Sequence, residues 1–295
     1  MSAGAAGATS VSTPPVEGAV ARVPDTVGQA LILSRYQLRD YLRSRRFLLM
    51  IAIVVALGAI LTLVVAHFRP TLLLSNPNEF YGGVWAGGAA YLILFAGIIF
   101  GGDAIAGEFQ NKTGYFLMGL PLRRVTVYVG KYLAVLVASI VSLLVYLVVV
   151  VANAVAYFGA GAFSDPGQLL SSFALALLYL LALMGFVFLF SSLFKTSLYA
   201  VLVVAVLFLI GFSILQSVIV ALTATEPWYL LSYVNGVIAY PLTGVPAHIA
   251  PGRAGGGGLA TLYSPTYAEG IGVMLGYFFL TTIGGLFLFE REEFT

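Results

Sequence analysis

Six apolar runs constrain this chain more than any other feature. They cover residues 47–67, 81–102, 132–158, 169–194, 198–222 and 268–289. Each reaches the length of about 20 residues at which an α-helix crosses a hydrocarbon core. The composition leaves no soluble alternative: 60% of the 295 residues are hydrophobic, only 9% are charged, and the mean hydropathy is +1.01. Soluble domains run at about 25% charged residues. The expected fold is therefore all-α, a polytopic membrane protein with six transmembrane helices. The fourth and fifth runs are separated by little more than Lys195-Thr196-Ser197, which predicts an antiparallel pair with a tight turn.

The cationic residues orient these helices, because Lys and Arg concentrate on the cytoplasmic side. With a cytoplasmic N-terminus, twelve of the fourteen lie inside: Arg22, Arg35, Arg39, Arg43, Arg45, Arg46, Lys112, Arg123, Arg124, Lys131, Lys195 and Arg291. Arg69 and Arg253 remain outside. An even number of spans then places both termini in the cytoplasm.

Residues 1–24 are mostly Ala, Gly, Ser, Thr and Pro, a composition that cannot bury enough surface to fold and predicts a disordered tail. Residues 25–46 predict an amphipathic surface helix, capped by Asp25 or Thr26. Leu31, Leu38 and Leu42 share one stripe, and Arg35, Arg39 and Arg43 follow at i, i+4, i+8 beside it. Such arginines snorkel toward lipid phosphates; the same row also serves as an ordinary positive flank. The transmembrane domain extends from 47 to 292. Its long external loop, 223–267, opens with an apolar, aromatic stretch broken by Pro227, Gly236 and Pro241. That stretch either dips into the outer leaflet or rests its aromatics, Trp228 and Tyr229 among them, at the headgroups.

Several chemistries are absent from the sequence. Without cysteine there is no disulfide, thiolate or Cys-based metal site. His67 and His248 are the only histidines. No phosphate-binding G-x-x-x-x-G-K-[ST], H-E-x-x-H or G-x-S-x-G occurs, so no catalytic, cofactor-binding or metal-binding residue is expected. Nothing suggests nucleic-acid binding. The interiors of the runs lack Asp, Glu, Lys, Arg and His, which argues against proton coupling.

The charges that do occur crowd into 103–131, between the second and third runs. The order there is Asp103, Ile105-Ala106, Glu108, Thr113-Gly114, Pro121 with Arg123 and Arg124, and Gly130-Lys131. This order resembles the type-2 ABC permease family, the membrane halves of ABC exporters. Thr113-Gly114 reverses the more usual order, and Phe109 stands where an arginine often follows the glutamate. The resemblance covers about residues 27–292.

The resemblance implies that 103–131 is a cytoplasmic coupling loop seated on a separate ATPase subunit. Asp103, Glu108, Phe109, Gln110 and Asn111 would contribute to that contact, with Lys112, Thr113 and Tyr115 behind them. Lys195 and Thr196 would make a smaller second contact. Glu108 would pair with Arg39 or Arg43, or with the partner, and Glu108→Arg would uncouple transport without harming insertion. The positive charges of the loop serve topology equally well. ATP and Mg would be bound by the ATPase partner and not by this chain. Two permease subunits, identical or homologous, would enclose a pathway between their second and fifth spans. Candidate lining residues are Tyr91, Phe95 and Ile99 on the second, and Phe208, Phe212 and Gln216 on the fifth. Gly83–Gly87 and Gly272–Gly276 are candidate helix-packing pairs. The whole reads as a permease subunit of an ATP-driven exporter in the cell membrane. An ATP-independent transporter or channel, or a membrane scaffold, is the alternative.

Overall fold

The computed structural model describes residues 25–68, 75–111, 122–223, 225–245 and 264–291. The 1–24 tail, Lys112, Thr113, Tyr115, Pro121 and most of 246–267 lie outside the described residues. Among those described there is no strand, and six helices are long and apolar enough to cross a membrane.

The N-terminal helix α1 spans Thr26–Arg43. Asp25 is its cap, with Oδ1 accepting from the Gly28 amide at 3.1 Å and satisfying one of the orphan donors of the first turn. The six membrane-length helices follow as α2 (Arg45–Phe68), α3 (Pro77–Gln110), α4 (Arg124–Phe163), α5 (Pro166–Leu193), α6 (Ser197–Thr223) and α7 (Tyr267–Arg291). All six match the apolar runs but overshoot them. The third starts at Arg124 rather than near Lys131, because its polar first turns continue the same helix. Its regular part ends at Gly159, whose φ of +58° lies where a side chain would be strained.

α3 and α5 form the interior: 56% of the central window of each is buried, against 22% for α2 and α6. In lipid, helices associate through close packing and interhelical hydrogen bonds rather than through hydrophobic transfer. Both devices are present. Thr62 of α2 donates to Asn153 Oδ1 of α4 at 2.6 Å, and the Tyr132 hydroxyl of α4 donates to the Leu181 carbonyl of α5 at 3.0 Å. The Tyr146 hydroxyl of α4 donates to the Val84 carbonyl of α3 at 2.7 Å, while its ring stacks on Trp85.

α5 and α7 make the most extensive helix pair. At Gly285 a Cβ atom would lie 2.5 Å from the Tyr128 hydroxyl and 3.1 Å from the Leu189 backbone. Backbone cannot step aside, so Gly285→Leu should destabilise the chain by about 1–3 kcal/mol, read as a lower aggregation midpoint in detergent. An unchanged midpoint would show that α7 docks elsewhere. The glycines singled out by spacing behave differently: Gly87, Gly272 and Gly276 face open space in this chain.

The segment after α6 turns back into the bundle. Residues 231–243 form a short α-helix (Leu231–Val234), a 3-10 turn (Asn235–Ala239) and a second short helix (Tyr240–Thr243). Leu231, Val234, Val237 and Ile238 are fully buried. Ser172 Oγ donates to the Ile238 carbonyl at 2.6 Å. Ser172 is six residues into α5, so at 1.5 Å per residue this part of the loop sits about 9 Å below the helix end. Its irregular backbone is enclosed by protein, with Leu231, Val234, Val237 and Ile238 turned into the bundle. Trp228 and Tyr229, just before it, remain exposed. Burial and the bond to Glu226 hold the Tyr233 phenol well above its usual pKa.

α1 packs lengthwise along α4, burying Ala30 and Tyr41. Gly130 permits this approach: a Cβ there would meet the Ala30 carbonyl at 3.1 Å and the Leu33 Cβ at 3.2 Å. Leu38 joins the packed side, whereas Leu31 and Leu42 stay exposed beside the exposed Arg35, Arg39 and Arg43.

Candidate functional site

The charged stretch 102–111 gathers the ends of the other helices around it. After the wide π turn Gly97–Gly101, α3 breaks at 102–105 and resumes as Ala106–Gln110. The break leaves backbone groups unpaired inside the bundle, and Ser191 of α5 satisfies them. Its fully buried hydroxyl accepts from the Ile105 and Ala106 amides, both at 3.1 Å, and donates to the Gly102 carbonyl at 3.0 Å. Ser191→Ala should cost about 1–3 kcal/mol for each of the two buried amides it orphans. Hydrogen exchange at Ile105 and Ala106 should accelerate while α5 itself stays protected; equal protection in both proteins would refute the anchoring role.

Two ion pairs hold the flanks. Asp103 pairs with Arg46 at the start of α2, and Glu108 pairs with Lys131 of α4. Lys131 is only 3% exposed and also donates to the Ala104 carbonyl at 2.8 Å. One ammonium thus binds the break, at Ala104, and the helical turn after it, at Glu108. At the far end of the segment, Gln110 Oε1 accepts from the Ser197 amide at 3.0 Å and from the Ser197 hydroxyl. Phe109 meets Phe289 of α7 edge-on, with ring centroids 6.3 Å apart. The Tyr41 hydroxyl of α1 reaches the Phe100 carbonyl at 3.5 Å, and burial, helped by the Asp103 carboxylate, raises its pKa. The segment therefore touches all five other membrane-length helices within ten residues.

These contacts correct one expectation. The cation on Glu108 is Lys131, and the N-terminal arginine that binds this segment is Arg46, through Asp103. A charge-reversed Glu108→Arg would face a buried lysine and disturb the fold itself. Gln110 and Asn111 are exposed, as is Lys195; Thr196 is half-buried. The bond from Gln110 to Ser197 brings the 103–111 segment beside the Lys195–Ser197 turn, joining residues that are 87 positions apart in sequence. Ser191 and the burial of Lys131 were not read from sequence. A pair of serines, Ser191-Ser192, near the end of an apolar run was the available signal, since polar residues there tend to join helices.

The six pathway candidates are not alike. Tyr91 is exposed, Phe95, Ile99 and Gln216 are half-buried, and Phe208 and Phe212 are buried against Phe186 of α5. Among the described residues, π turns occur in α3 and α6 and in no other membrane-length helix: Tyr81–Ala86, Gly97–Gly101 and Leu207–Gly211. Such wide turns shift the faces of a helix and recur at functional sites. Among the described residues, no cluster of His, Asp and Glu suits a metal ion.

This architecture defines a multi-pass helical membrane protein with a charged, multiply anchored element at one end. The description "ABC-2 family transporter protein" matches residues 31–294, and the chain belongs to that family. It is an ABC-transporter permease-type membrane component, of a family that normally works with an ATPase partner. Comparison with curated proteins found no match.

Proposed function

We propose that this chain is the transmembrane subunit of an ATP-driven exporter. Two permease subunits, identical or homologous, enclose the path, and separate ATPase subunits bind ATP and Mg. The arginine-rich end is cytoplasmic. The observation that carries this reading is the anchoring of 102–110 to every other membrane-length helix. A push delivered to the exposed Gln110–Asn111 end would reach α2, α4, α5, α6 and α7 through bonds already in place. Lys195 and Thr196 stand close enough to share the same docking surface.

In this reading Asp103 and Glu108 are internal anchors, and the exposed Gln110 and Asn111, with Lys112, Thr113 and Tyr115 beyond, meet the ATPase. Phe109 braces the element on α7. The path lies along α3 and α6, where the π turns and the exposed Tyr91 are found. Arg35, Arg39 and Arg43 hold the exposed edge of α1 at the lipid surface.

The test is capture of the tagged full chain from its native membrane in mild detergent, followed by mass spectrometry. A stoichiometric soluble subunit with a P-loop supports the proposal. Recovery of the chain alone, repeated after crosslinking, overturns it and favours an ATP-independent carrier or a scaffold.

A further inference from the structure

A groove opens between α2, α3 and α6 at the arginine-rich end. Its volume is about 370 Å³. Leu49, Ile98, Ile99, Leu198 and Val201 line its apolar length, and Arg46, Asp103 and Ser197 form its polar mouth. We propose that this groove binds an anionic phospholipid, with the phosphate on Arg46 and one acyl chain along the apolar wall. The groove shares Ile99 and the α3–α6 wall with the proposed path, but lipid binding is measured on the chain alone, so the two readings fail separately.

Charge selects the headgroup. Arg46 lines the mouth, Arg45 precedes it in the first turn of α2, and Lys195 lies two residues before Ser197, against the single carboxylate of Asp103. Two helices also begin here, α2 at Arg45 and α6 at Ser197, and helix N-termini favour negative charge. Arg46 uses one nitrogen on Asp103, and its side chain is still 51% exposed. A guanidinium has five N–H donors in a planar fork, so most remain for a phosphate. Basic pockets between membrane helices on the cytoplasmic side suit anionic headgroups for this reason.

The wall selects the tail: Leu49, Ile98, Ile99, Leu198 and Val201 present hydrocarbon along which one acyl chain can lie. Asp103 ties the site to the anchored element, so a lipid phosphate on Arg46 would share its guanidinium with the 102–110 segment.

The experiment is native mass spectrometry of the purified full chain, titrated with phosphatidylglycerol or phosphatidylcholine of identical acyl chains, and separately with inorganic phosphate. The wild type should hold phosphatidylglycerol about tenfold more tightly, the scale of one charge-assisted hydrogen bond. Arg46→Gln should abolish that preference, and Arg46→Lys should keep part of it. Leu198→Trp, at an exposed position on the groove wall, should lower occupancy by both lipids. Arg123→Gln, exposed but outside the groove, should change nothing. An unchanged preference in Arg46→Gln overturns the proposal, as does a loss that follows Arg123 instead. Inorganic phosphate binding as well as the lipid, with Leu198→Trp silent, overturns the acyl-chain assignment.

Discussion

Lys131→Met should lower the thermal midpoint of the purified chain by several degrees. Lys131 is almost fully buried and serves both Glu108 and the Ala104 carbonyl. Methionine fills similar volume but leaves that carboxylate and carbonyl without their shared cation. Removing one partner of a buried ion pair typically costs about 3–5 kcal/mol; Glu108, at 18% side-chain exposure, recovers some of this from water, so about 3 kcal/mol is expected. Lys131→Met combined with Glu108→Gln should regain more than half of the loss, because it removes both charges together. Fluorescence-detected gel filtration after a heating series measures all three proteins. Equal midpoints for wild type and Lys131→Met would mean that the pair contributes no stability. A double variant worse than the single would mean that Glu108 has a different principal role.

The second large effect is expected on the opposite side of the bundle. Ser172→Val removes a hydroxyl that is fully buried and makes two bonds. Trp85 Nε1 donates to it at 3.0 Å, and it donates to the Ile238 carbonyl. Valine is close in volume, so packing changes little while two buried polar groups lose their partners. At about 1–3 kcal/mol for each orphaned group, the sum is roughly 2–6 kcal/mol. The loss should fall on the re-entrant segment rather than on the long helices. Hydrogen exchange over 231–243 should rise sharply, and Trp85 emission, isolated in a Trp228→Phe background, should shift. Exchange limited to its wild-type level over 231–243 would show that apolar burial alone holds the segment.

Much of the architecture is legible in the sequence for a simple reason. Lipid imposes a length and a polarity on anything that crosses it, and both are visible residue by residue. The six runs, the paired α5 and α6 and the membrane class all follow from that, whereas the cap at Asp25 or Thr26 follows from local helix-end chemistry. The stripe Leu31–Leu38–Leu42 was less informative, because α1 packs along α4 through Ala30 and Tyr41 and leaves Leu31 and Leu42 exposed. Aromatic spacing on α6 had the same weakness: Phe208 and Phe212 share a stripe, yet that stripe faces Phe186. Helical periodicity identifies a face but not what covers it.

Sequence by itself therefore determined the number of membrane helices, their limits to within eight residues, and the position of the charged element between the second and third. Tertiary structure alone decided the partners: Lys131 on Glu108, Arg46 on Asp103, Ser191 under the break in α3, and Ser172 beneath the returning loop. Each of these pairs joins residues at least 23 positions apart, so no local spacing encodes it. The helices are set by their solvent, one at a time, whereas the bonds between them exist only once all six have packed.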